Sequence, residues 1–156
     1  MADHADTLAV EFRNIDKAFY GVKANDNVNF QLRHGEVHAL LGENGAGKST
    51  LCSILAGLYR PDAGEFLYEG EHTVFKTPKD ALAAGVGMVY QHFRLVSNLT
   101  VAENLALGHP KLGVTISQSQ LVDEARELGE EYGLPVYPAA RIWQLSVGEQ
   151  QRVEIL

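Results

Sequence analysis

The stretch GENGAGKST, Gly42 to Thr50, constrains this chain more than any other feature. It has the pattern Gly, four residues, then Gly-Lys-Ser, and it lies between an apolar run, EVHALL, and a helical run, STLCSILAGL. A buried strand turning through such a loop into a helix makes a cradle for phosphate. Glycines at 42, 45 and 47 let the backbone approach phosphate oxygens closely. The N–H groups of the loop, which also contains Glu43, Asn44 and Ala46, then form an inward-facing nest. The positive end of the following helix lies behind it. Lys48 supplies a full charge for the β- and γ-phosphates, the Ser49 hydroxyl suits Mg²⁺, and Thr50 reaches an α-phosphate oxygen. These residues point to a nucleoside triphosphate and leave adenine versus guanine open.

The rest of the chain supplies an α/β frame for that loop. LAVEFRNI (8–15) and VNFQLR (28–33) alternate as half-exposed strands do. The His34-Gly35 turn leads into EVHALLG, a run suited to burial on both faces. EFLYEG reads as a further strand, and VGMVYQ (86–91) as a second buried one. Thr77-Pro78 starts a helix through KDALAAG. Strand, helix, strand at these spacings predicts a parallel α/β sheet. After Gln91 the pattern becomes helical. Thr100 with Glu103, Ser117 with Gln120, and Ser146 with Glu149 are three capping-box pairs. The expected division is an α/β part over 1–95 and a helical part over 96–156.

Composition narrows the partners. The 156 residues carry a formal net charge of -7, against the basic surface expected of a nucleic-acid binder. One cysteine, Cys52, cannot form an internal disulfide and is expected to pack as a small apolar group on the helix after the loop. No apolar run reaches the length of a membrane span. The acidic run DEARELGEE reads as a solvated helix face. His92 lacks the carboxylate and nucleophile that a catalytic histidine would need.

Three stretches in this order, LLGENGAGKSTL, GMVYQH and LSVGEQQRVEIL, resemble the ATP-binding subunits of ABC transporters. VYQHFRLVSNLTVAENLALG, together with the last stretch, is most similar to the ATPases of simple-sugar and nucleoside importers. The resemblance implies a P-loop NTPase fold: a RecA-like parallel core, an antiparallel β subdomain and an α-helical subdomain, incomplete at its C-terminal end. It implies ATP and Mg²⁺ as cofactors. It places Phe19 where the family has an aromatic that stacks on adenine, with Tyr20 as an adjacent substitute. It makes Gln91 the glutamine that ligates Mg²⁺ beside Ser49 and senses the γ-phosphate. The segment after Gln91 would face integral membrane permease subunits at the cytoplasmic side of the plasma membrane, with a solute-binding protein involved indirectly.

The resemblance also gives the last stretch a role. Ser146 caps a helix, and Gly148 leaves the backbone near its start uncovered. In the family arrangement two ATPase domains pack head to tail, and this signature contacts the γ-phosphate held by the other domain. Lys48, Gln91, Ser146 and Gly148 are therefore the residues expected to act on ATP. The usual signature is Leu-Ser-Gly-Gly-Gln, and here Val147 and Glu149 depart from it. Glu149 would repel a phosphate unless its side chain turned back onto its own cap.

The family also has an apolar strand ending in Asp-Glu, and a switch histidine, beyond the signature. Neither follows within Met1–Leu156, so the chain is expected to be the N-terminal part of a longer ATPase. General-base help is worth about 10²–10⁴ in rate, so this part alone should hydrolyse ATP poorly. The buried-type strands EVHALL and VGMVYQ should then have unpaired edges. Two other classes compete with the importer reading. A soluble ABC-type ATPase acting on DNA or ribosomes would be expected to carry coiled-coil insertions or basic arms, and neither appears. A non-catalytic ATP-binding fragment would respond to occupancy only.

Overall fold

The structure is a computed structural model that describes residues 7–90, 93–107 and 117–156. The chain divides into two compact units, Met1–Met88 and Val89–Leu156.

The first unit is built on a four-stranded antiparallel sheet of order β2-β1-β3-β4. Strand β1 (Leu8–Phe19) and β2 (Val22–Arg33) form a long hairpin. Its two-residue turn has positive φ at both Tyr20 (49°) and Gly21 (83°), the geometry whose twist matches that of the flanking strands. Strand β3 (Ala63–Tyr68) pairs with the other edge of β1, and β4 (Glu71–His72) closes the sheet. Alternation turns Val10 and Phe12 of β1 inward, and a register shift after Phe12 keeps Ile15 buried as well. Against them pack Leu51 and Ile54 of α1 (Lys48–Leu55), Phe66, Phe75, and Ala81 of α2 (Pro78–Ala83). Phe12 and Phe66 lie 4.9 Å apart between ring centroids. Thr77 caps α2, with Asp80 returning the bond.

The two runs expected to be central strands are not in any ladder among the described residues. Residues 36–41 and 86–90 form no strand. Leu40 and Val86 rest against the core, but Val37 and Leu41 are 100% and 91% exposed. A run apolar on both faces needs neighbours on both sides, and the described residues offer none. Among the described residues the antiparallel subdomain is formed, and the two runs of the parallel core are in place as chain without a ladder.

The second unit holds α3 (Val101–Ala106), α4 (Gln118–Glu131), a 3₁₀ turn at Ile142–Gln144 and α5 (Val147–Ile155). All three expected capping boxes form, at Thr100, Ser117 and Ser146. The core is Val101, Ile142 and Val153, with Leu95, Leu105, Val136 and Leu145 against it. Asn104 braces the loop before α3. Its amide accepts from Val96 N–H at 2.7 Å and donates to the Val96 and Thr100 carbonyls. The acidic residues of α4 are exposed, while Ala125 and Gly129 are buried.

Candidate nucleotide-binding site

The loop Gly42–Gly47 leads into α1, whose first residue is Lys48. Gly47 is the helix N-cap, in left-handed conformation (φ 83°), and no side chain caps this helix. The amides of the first turn thus lack the side-chain partner that Thr77, Thr100, Ser117 and Ser146 give the other α-helices. A helix start left open in this way attracts anions. Residues 42–46 are exposed.

Lys48 extends back across the loop. Its Nζ donates to the Gly42 and Glu43 carbonyls, both at 2.7 Å. Ala46 N–H closes the loop onto Glu43 O at 3.2 Å. The ammonium is thereby held against the loop's own carbonyls. Ser49 is exposed and Thr50 half-buried on the first turn. Cys52 is a half-buried free thiol.

Gly47 is irreplaceable on two grounds. Its positive φ strains any other residue. A Cβ there would also stand 2.1 Å from Ala24 O and 2.7 Å from Asn25 Nδ2, both on β2. Asn25 in turn donates to Gly47 O at 3.2 Å. Asn25 is buried at 4% exposure, and its Oδ1 has no hydrogen-bond partner among the described residues. An unmet buried polar atom costs about 1–3 kcal/mol, so a packing role alone does not account for this side chain. The sequence reading missed Asn25. Period-two alternation from Val28, Phe30 and Leu32 places it on the opposite face. Register shifts near Ile15 and Lys17, opposite this part of β2, turn it inward.

Phe19 closes β1 in the same unit. It is half-buried, with its ring edge-on to Tyr59 at 5.0 Å and the Lys17 ammonium 5.4 Å from its centroid. Tyr20, on the turn, is fully exposed. Gln91 and His92 lie outside the described residues.

In the second unit Ser146 caps α5. Its N–H and its hydroxyl both donate to Glu149 Oε2, at 2.7 and 2.6 Å. The Ser146 hydroxyl, then its N–H, hold the Glu149 carboxyl below its ordinary pKa. The expected return of Glu149 onto its own cap is therefore what the structure shows. A Cβ at Gly148 would meet nothing within 4 Å, and Val147 is exposed.

The donor set also bears on Mg²⁺. No group of three His, Cys, Asp or Glu side chains gathers among the described residues. The Ser49 hydroxyl beside Lys48 fits a cation that takes one protein oxygen and completes its shell with phosphate and water, as Mg²⁺ does. No helix among the described residues is long and apolar enough to cross a membrane.

Comparison with known proteins points to one family. The profile of the family described as ABC transporter matches residues 25–156. The guanosine import ATP-binding protein NupO of Bacillus subtilis (strain 168) is 50% identical over 148 residues, covering 94% of this chain and 29% of that protein. The ribose import ATP-binding protein RbsA 1 of Rubrobacter xylanophilus (strain DSM 9941) is 48% identical over 147 residues, covering 94% of this chain and 30% of that protein. The chain thus spans under a third of the length of the curated relatives it matches. A crystal structure of a nucleotide-free ATP-binding cassette from an ABC transporter superposes with a TM-score of 0.79 at 27% identity, covering 95% of this chain and 63% of that one.

Proposed function

Since the chain belongs to the ABC transporter family, we propose that it is the nucleotide-binding part of an importer ATPase, taking up a small solute such as a sugar or nucleoside. One observation carries this reading. The Lys48 ammonium is fixed by two 2.7 Å bonds to loop carbonyls, and the helix that Lys48 begins has no side-chain cap.

Each residue then has a task. The loop 42–47 and the first amides of α1 hold the phosphates. Lys48 exchanges its carbonyl partners for β- and γ-phosphate oxygens. Thr50 contacts the α-phosphate, and Phe19 stacks on the adenine. Ser49 and Gln91 would hold Mg²⁺, which would supply positive charge beside the phosphates. Ser146 and the open backbone at Gly148 present N–H and O–H donors to the γ-phosphate held by a second ATPase domain. ATP is then buried between two domains packed head to tail, and hydrolysis reopens them.

Hydrolysis, permease docking through the segment after Gln91, and a place at the cytoplasmic face of the membrane belong to the complete protein under this reading. A solute-binding protein would deliver the cargo. The experiment is ATP binding and hydrolysis by the full-length protein in wild-type and Lys48→Ala forms. Wild type should bind and hydrolyse Mg-ATP, and the variant should lose hydrolysis. A wild-type protein that binds no nucleotide would overturn the reading.

A further inference from the structure

We propose that Asn25, on β2, is a positioning residue that aims the first amide of α1 at the nucleotide's phosphate. The inference rests on the ATP-binding reading above and adds to it a residue outside the phosphate loop.

The geometry is specific. Gly47 O has two hydrogen-bond partners: Leu51 N–H along the helix at 2.9 Å, and Asn25 Nδ2 from the strand at 3.2 Å. A carbonyl oxygen has two acceptor positions, so both are used. In a trans peptide, Gly47 C=O and Lys48 N–H point in opposite directions. Fixing the carbonyl from two elements therefore fixes Lys48 N–H, which points out of the helix start. Ala24 O, on the same strand, lies 2.1 Å from where a Cβ at position 47 would stand, so β2 packs directly against this residue.

The second observation is the side chain itself. Asn25 is 4% exposed, and its Oδ1 has no partner among the described residues. An aliphatic residue of similar size would fill this site without leaving an oxygen unmet. What the amide adds over such a residue is the donor to Gly47 O. Among the described residues no other hydrogen bond joins loop and strand, so without this bond the Gly47 peptide can rock about the start of the helix. A rocking donor binds phosphate less tightly, because ordering it must then accompany binding.

The test is Mg-ATP titration and thermal unfolding of the full-length protein as wild type, Asn25→Leu and Asn25→Ala. Asn25→Leu should melt at or above the wild-type temperature and bind Mg-ATP about three- to tenfold more weakly. Asn25→Ala leaves a cavity and should melt lower, yet lose affinity by the same factor as the leucine variant. Shared affinity loss with divergent melting temperatures separates positioning from packing. Unchanged affinity in Asn25→Leu overturns the inference while leaving the nucleotide reading intact. Affinity loss that follows melting temperature from leucine to alanine also overturns it. A wild-type protein that does not bind Mg-ATP removes both.

Discussion

Ser146 gives both its N–H and its hydroxyl to one oxygen of Glu149, at 2.7 and 2.6 Å. The Ser146 hydroxyl is also one of the donors proposed to meet a γ-phosphate from a second domain. The carboxylate therefore competes with the nucleotide for it. Glu149→Gln keeps an oxygen able to accept at the cap but removes the charge. Under the proposed function it should raise apparent ATP affinity in the assembled transporter a few-fold. Equal or weaker affinity, measured by ATP titration, would show that the carboxylate does not compete.

The pH dependence of that cap has a definite sign. Glu149 is held below its ordinary pKa by the Ser146 hydroxyl and N–H. A depressed carboxyl contributes stability that is present above its unfolded pKa and is lost as pH falls through the folded value. Ser146→Ala removes the hydroxyl donor, so the Glu149 titration midpoint should rise toward the ordinary carboxylate value. Side-chain carboxyl shifts followed by NMR across acidic pH would measure both.

The loop and the caps were legible in the sequence because each is a local pattern. Four residues separate the first glycine of GENGAGKS from Gly-Lys-Ser, and two separate each cap from its partner, so neither depends on distant contacts. The inward turn of Asn25 was not legible. It follows from register shifts between β1 and β2, which no alternation within β2 reveals. The runs at 36–41 and 86–90 were legible as apolar and as short of neighbours, but they were expected as strands, and without a ladder to join neither forms one. Phe19 and Tyr20 both read as candidate aromatics. Only the turn geometry shows that one is packed and the other projects into solvent.

Gly47 and Gly45 separate two effects of a side chain in the phosphate loop. Both have positive φ, 83° and 86°. A Cβ at Gly45 meets nothing within 4 Å, so Gly45→Ala should cost about 1–2 kcal/mol of backbone strain. At Gly47 the Cβ would stand 2.1 Å from Ala24 O, so the loop must leave β2 altogether. Gly47→Ala should therefore abolish nucleotide binding, while Gly45→Ala weakens it. Equal losses in a titration with Mg-ATP would show that strain, not the approach of β2, governs the loop.

Asn104 should be the residue whose truncation most disturbs the loop before α3. It makes three hydrogen bonds to that backbone from a buried position. Asn104→Ala leaves Val96 N–H and two carbonyls without these partners. A loss of about 2 kcal/mol is expected, at roughly 1 kcal/mol per bond with partial replacement by water. Hydrogen exchange at the Val96 amide should accelerate first. Wild-type protection at Val96 would show that the brace is dispensable.

Phe19 and Tyr20 can be told apart by the same measurement in two variants. Phe19 is edge-on to Tyr59 and half-buried, which leaves part of its ring surface for a purine. Tyr20 is exposed and held at φ 49°, a conformation that costs a residue with a Cβ about 1–2 kcal/mol. Tyr20→Gly relieves that strain and should raise the melting temperature without changing nucleotide affinity. Phe19→Ala should weaken Mg-ATP about three- to tenfold, the scale of one aromatic stacking contact. It should weaken triphosphate alone, offered as Mg-tripolyphosphate, far less, since the phosphate loop is untouched. The reverse pattern, with Tyr20→Gly losing affinity and Phe19→Ala keeping it, would move the stacking role to the turn. An equal loss for ATP and tripolyphosphate in Phe19→Ala would show that the ring supports the fold of the loop and not the base.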